Sequence, residues 1–146
     1  MEYIRANVTS DMVIRDVENH ILLIRRGHPP FEGKWAMPGG FLDVGKETVE
    51  ECAVREAKEE TGLCVTIETL LGVWSNPDRD PRWPSVSCAY LSLPVSMEVA
   101  ATAEGRDDAV EAKWYNSSEF IHEKADLAFD HAKILRVAAK VIKYLG

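Results

Sequence analysis

The sequence predicts an α/β fold, a mixed β-sheet packed between helices, and three observations predict it. Val- and Ile-rich runs with period-two alternation recur along the chain, a sharply delimited helix lies among them, and a second amphipathic helix closes it. With 146 residues, 46% of them hydrophobic, the expectation is one globular domain over residues 1–146 with its own core. No repeat or linker-like tract divides it.

Residues 7–15 and 20–26 read as a hairpin turning at Glu18-Asn19. Arg25-Arg26-Gly27-His28-Pro29-Pro30 then leaves the sheet. Pro29, Pro30 and Gly33 predict a fixed loop leading to Trp35, a core aromatic. Thr48-x-x-Glu51 is a capping-box signature and Gly62 a C-terminal stop, so a helix of about four turns is expected between them. Beyond it Val65, Ile67, Thr69 and Leu71 alternate as in a half-buried strand, and residues 85–95 form another with Val86, Cys88 and Tyr90 alternating. Residues 97–101 are expected to extend or pair with that strand, and residues 111–115 form a further one. Ile134, Leu135, Ala138, Val141, Ile142 and Leu145 make the single apolar stripe of a final helix, with Asp130 and His131 in structural roles at its start.

The central helix carries the chemistry. At about 100° per residue, Val49, Cys52 and Ala53 share a face with Glu56, Glu59 and Glu60, while Glu50, Glu51 and Lys58 turn outward. A solvated acidic face would put those three carboxylates on the other side. Carboxylates at i, i+3 and i+4 repel unless a cation sits among them, and Mg²⁺ is commonly held by one or two carboxylates with substrate phosphates completing its shell. A metal-phosphate site is therefore expected.

Net charge is −7 with a pI near 5.1, which argues against nucleic acid as a partner. Cys52, Cys64 and Cys88 are odd in number, lack metal-ligand spacing and are read as reduced core residues. No apolar run approaches the ~20 residues that span a bilayer, and the N-terminus lacks a secretory pattern, so a cytoplasmic protein with no membrane partner is expected.

The run Arg55-Glu56-Ala57-Lys58-Glu59-Glu60-Thr61-Gly62-Leu63, with Glu47 eight residues before the Arg and Gly39-Gly40 ahead of it, closely resembles the Nudix box of the Nudix hydrolases. The resemblance implies the Nudix-type α/β/α sandwich, with a mixed β-sheet between helices. It also implies Mg²⁺ or Mn²⁺ held by Glu56, Glu60, Glu59 and a loop carbonyl nearest Gly40. Arg55 would orient the carboxylates, and Glu59 would complete the ligand set or hold a metal-bound water. One departure stands out: the usual box has six steps from glycine to the first glutamate, and here Gly40 to Glu47 is seven. Either Lys46 bulges out or Glu47 is displaced.

In Nudix relatives an extra carboxylate often sits in a loop at the place of residues 104–108, as metal ligand or general base. Asp108 is the first choice, with Glu104 and Asp107 as alternates. The stretch around Arg25 borders the substrate cleft in such relatives, which favours anion contact. Residues 76–82 hold two arginines, Arg79 and Arg82, whose forks suit phosphate, in a turn stiffened by Pro77 and Pro81. Pro77-Asp78-Arg79-Asp80-Pro81-Arg82 resembles a loop of the ADP-ribose pyrophosphatase branch, as does the entry through Gly39 and Gly40. The likeness breaks at Trp83-Pro84, where that branch carries Gly-His or Gly-Thr.

The function this implies is hydrolysis of a small nucleoside diphosphate derivative, ADP-ribose first, to AMP and ribose 5-phosphate. Alternatives are a damaged nucleoside triphosphate, NADH or a nucleotide sugar as substrate, or a non-catalytic ADP-ribose-binding module. Relatives are commonly homodimers, so a homodimer is expected.

Overall fold

The structure is a computed structural model that describes residues 2–118 and 126–145. The first hairpin is β1 (Asn7–Arg15) and β2 (His20–Arg26), with Ile14 opposite Leu22. Their near-continuous apolar runs follow from burial on both faces. Met12, Ile14 and Leu22 point to one side, where Ala53 and Ala57 of the helix α1 (Val49–Thr61) cover them. Val13, Ile21 and Leu23 point to the other, against Ile134, Leu135, Ala138 and Ile142 of the last helix. A one-residue slip would exchange the two cores.

Two short strands follow the hairpin, β3 (Trp35–Ala36) on β2 and β4 (Gly39–Phe41) on β1. After α1 come β5 (Ile67–Trp74), β6 (Ser85–Ser92), the single-turn helix α2 (Met97–Ala100), β7 (Ala109–Asn116) and α3 (His131–Leu145). The sheet runs β3-β2-β1-β6-β5, with β4 also on β1 and β7 on β2; β1 and β6 are parallel. This is the expected mixed sheet between helices.

α1 has the predicted ends. The Thr48 hydroxyl accepts from Glu51 N–H, the Glu51 carboxylate accepts from Thr48 N–H, and Gly62 closes the helix in the left-handed region at φ 78°. The Ser10 hydroxyl donates to the Val49 carbonyl at 2.7 Å, fixing the start of α1 on β1.

Two expectations are corrected. Residues 97–101 do not extend the preceding strand: Pro94 cannot continue its ladder, and Ser96 caps a helical turn by accepting from Val99 N–H. The cysteines are free, but only Cys52 is buried; Cys88 is partly covered, and Cys64, just past the helix stop, is exposed. Among the described residues no helix is long and apolar enough to cross a membrane.

Candidate active site

One cleft of about 390 Å³ gathers Asp11 from β1, Glu56 and Glu60 from α1, Asp108, and the arginines Arg26, Arg79 and Arg82. Gly39 and Gly40 form part of its wall because no side chain fits there. A Cβ on Gly39 would lie 2.2 Å from Asp11 Oδ1, and one on Gly40 2.6 Å from the Glu56 carboxyl. The pair lets the β4 backbone lie directly on the acidic residues.

Arg55 holds the acidic side together. Its Nε and Nη2 donate to the two oxygens of Glu47 at 2.7 and 2.8 Å, and Nη1 donates to Glu56 at 2.9 Å and Glu59 at 3.1 Å. Nη2 also reaches the Phe41 carbonyl at 3.1 Å, tying α1 to β4. The Glu47 carboxyl falls to about 2, first through the Arg55 hydrogen bonds and then through Asp43 N–H. Lys46 is exposed in a turn whose N–H bonds the Asp43 carbonyl, and Glu47 keeps its bidentate place on Arg55.

Glu60 is different in kind. It accepts Gly39 N–H at 3.1 Å and has no salt bridge among the described residues. Burial, only partly offset by that bond, pushes its carboxyl up to about 9, with Glu56, Asp11 and Asp108 adding repulsion. Glu56 is raised too, again first by burial, despite Arg55. Glu59 stands apart: its side chain is 45% exposed, pairs with Arg55 and does not line the cleft. It lies about 60° around the helix from Glu56, on the side away from Glu60, which carries it to the rim.

Among the described residues no three carboxylate, imidazole or thiol groups converge to cage a metal ion unaided. The donor set still suits a hard cation. Glu56 and Glu60 are desolvated oxygen donors without enough positive charge beside them, and the Gly40 carbonyl, near the Cys52 thiol at 3.7 Å, lies at the same wall. Such a site holds Mg²⁺ or Mn²⁺ when phosphate oxygens and water complete the shell.

The arginines sort differently from expectation. Arg25 turns out of the cleft and pairs with Glu111, while its neighbour Arg26 lines it, with its guanidinium 5.0 Å from the Phe129 ring centroid. Burial and then Arg82 lower the Arg26 pKa, so two cations share this cleft. Arg79 reaches the cleft wall, but its fork is taken: Nε and Nη2 bind both oxygens of Asp130 at 3.0 and 2.8 Å, and Nη1 donates to Ser85. Arg82 is held by Asp80 through Nε and Nη2, leaving Nη1 without a hydrogen bond among the described residues.

Asp108 is where the acidic loop meets the cleft, 3.1 Å from His28 Nε2. The loop hangs from the end of α1, with Glu104 and Arg106 N–H groups donating to the Thr61 and Glu60 carbonyls. Glu104 pairs with Arg106, and neither it nor Asp107 lines the cleft. Asp11 was not foreseen. It accepts from the Ser87 hydroxyl and lies 3.8 Å from His131 Nε2. The signal was available: Thr9-Ser10-Asp11 interrupts an otherwise apolar strand. His131 is buried, and its Nδ1 accepts Met37 N–H at 3.1 Å; burial lowers its pKa, so it is neutral with its proton on Nε2.

The NUDIX domain family model matches residues 6–138. The chain belongs to the Nudix family. Its similarity to the ADP-ribose pyrophosphatase of Methanocaldococcus jannaschii is 44% identity, over 92% of this chain and 73% of that protein. It is 33% identical to the ADPR responsive transcriptional repressor NtrR of Acinetobacter baylyi over 90% of its length, but spans only 52% of that protein. Among solved structures, the NUDIX domain of Shewanella oneidensis NrtR complexed with ADP ribose superposes with a TM-score of 0.81 at 26% identity, covering 96% of this chain and 90% of that one.

Proposed function

We propose that this Nudix pyrophosphohydrolase cuts the pyrophosphate of ADP-ribose, giving AMP and ribose 5-phosphate. The observation that carries the reading is one cleft in which two raised, partly buried carboxyls, Glu56 and Glu60, share space with Arg26 and Arg82. A pyrophosphate needs positive charge on several sides, and its carboxylate surroundings need a cation. The similarity to the M. jannaschii pyrophosphatase and to an ADP-ribose-bound domain supports the same substrate.

Glu56 and Glu60, with the Gly40 carbonyl, would hold Mg²⁺ or Mn²⁺, Glu59 at the rim would reach it through a water, and the ion would supply charge neutralisation and a more acidic water. The chain's own groups do the rest. Arg55 fixes the Glu56 carboxylate and leaves Glu60 to be drawn out of its protonated state. Arg26 and the open Nη1 edge of Arg82 take phosphate oxygens, the role first sought in Arg25 and Arg79. Asp108, exposed at the cleft, is the base that accepts a proton from the attacking water, and Gly39 and Gly40 let the diphosphate approach the backbone. A cytoplasmic homodimer acting on small molecules, without nucleic acid, completes the reading.

The repressor relatives favour a second reading, a domain that binds ADP-ribose without cutting it. A panel of ADP-ribose, NADH, a nucleotide sugar and nucleoside triphosphates, with products separated by chromatography, tests both. Rapid formation of AMP and ribose 5-phosphate from ADP-ribose is expected. ADP-ribose binding without any product would favour the sensor, and a faster triphosphate would change the substrate.

A further inference from the structure

At the rim of the cleft lie two aromatic rings that neither the acidic site nor the phosphate contacts use. Phe41, on β4, and Trp83, after the proline-stiffened loop, have their rings 5.9 Å apart at 56°. Arg82 sits against both, its guanidinium carbon 4.5 Å from the Trp83 ring centroid and 5.6 Å from that of Phe41. Both rings remain open, Phe41 at 44% and Trp83 at 39% exposed. Two large aromatics left this open beside a polar cleft are not core packing.

The corner is also held in place. The Asp80 carboxylate, nearly buried, binds Arg82 Nε and Nη2 and accepts Arg82 N–H at 2.9 Å. Pro77, Pro81 and Pro84 restrict the loop on either side, and Phe41 is fixed in register opposite Thr9. Phe41 and Arg82 line the main cleft, while Arg82 and Trp83 line a shallow depression beside it. A ligand leaving the phosphate site past Arg82 therefore meets a cationic and aromatic surface.

We infer that the corner of Phe41, Arg82 and Trp83 stacks the purine base of the nucleotide whose phosphates occupy the cleft. Bases stack on aromatic rings and on guanidinium planes, and the base is the one flat π-system such a substrate carries. A phosphate would gain nothing from two apolar rings, and a ribose has no π-face to stack on them. The inference rests on the nucleoside diphosphate reading of the cleft, and it assigns Trp83 to base recognition.

The test is equilibrium binding of AMP and of ribose 5-phosphate to the intact protein, wild type against Trp83→Ala, Trp83→Phe and Phe41→Ala, with melting temperatures recorded. Trp83→Ala should weaken AMP binding by about five- to a hundredfold, the usual worth of one stacked base, and leave ribose 5-phosphate unchanged. Trp83→Phe should restore most of the affinity but abolish the AMP-induced quenching of tryptophan emission. Equal losses for both ligands, no loss for AMP, or no AMP binding by the wild type would overturn it. Hydrolysis of ADP-ribose by the wild type, measured separately, keeps the two claims apart. Turnover with an indifferent Trp83→Ala removes only the base site, and AMP stacking without turnover removes only the enzymatic reading.

Discussion

The acidic residues of α1 and the arginines around residues 76–82 line the same cleft, yet they follow different rules. On α1, side-chain direction is set by helical period, so the residues that face inward are fixed once the capping box and Gly62 fix the helix. In the loop there is no period, and two arginines three residues apart take unrelated roles. Arg79 is a buried strut between Asp130 and Ser85; Arg82 keeps an open edge at the cleft. Residue type alone does not separate an arginine that binds substrate from one that binds the protein.

The largest effect that sharpens this contrast is on α1. Glu60→Gln is nearly isosteric with a carboxyl that already carries its proton at neutral pH, so the fold should survive. Turnover of ADP-ribose in Mg²⁺ should nevertheless fall by about a hundred- to a thousandfold, as removal of one charge-stabilising group does elsewhere. Steady-state kinetics together with a melting curve measure both. Normal turnover by Glu60→Gln would mean the acidic face is inert.

In the loop, the expected effect is on stability. Arg79→Ala leaves the largely buried Asp130 carboxylate without its partner, a change that costs about 3–5 kcal/mol. Arg82→Ala should shift the denaturation midpoint less but lower kcat/KM more. If the two variants exchanged these signatures, the assignment of strut and ligand group would be reversed.

β2 offers a smaller version of the same comparison. Arg25 and Arg26 are adjacent, and alternation sends one to Glu111 and the other into the cleft. Arg26→Lys keeps charge but loses the planar fork, so kcat/KM should drop about tenfold or more, while Arg25→Lys should change it less than twofold. Equal kinetics would place the phosphates elsewhere.

Most of the frame was legible in the sequence for physical reasons. β1, β2 and α1 announce themselves because burial on two faces, or caps at both ends, leaves few alternatives. What stayed hidden depended on long-range partners. Nothing near Arg79 in sequence says that Asp130 waits 51 residues on, and Asp11 gains meaning only when β4 lays Gly39 against it. Glu59 was placed with Glu56 and Glu60 by period, but it lies at the edge of that arc and is drawn outward by Arg55. Residues 97–101 follow a strand in sequence but turn helical because Ser96 caps them.

The central claim is that Glu60 and Glu56 form a cation site, and the Glu60 proton allows a direct measurement of it. With its pKa near 9 in the metal-free fold, Glu60 is protonated at pH 7 and must release that proton to ligate an ion. Mg²⁺ affinity should therefore rise with pH toward about 9, the folded-state value, and flatten above it. Calorimetric titration of Mg²⁺ at pH 7, in two buffers of different ionisation enthalpy, reads proton release independently of turnover. The account predicts release of about one proton per bound ion in the wild type and none in Glu60→Gln. Mg²⁺ binding that releases no proton, or is unaffected by Glu60→Gln, would contradict it.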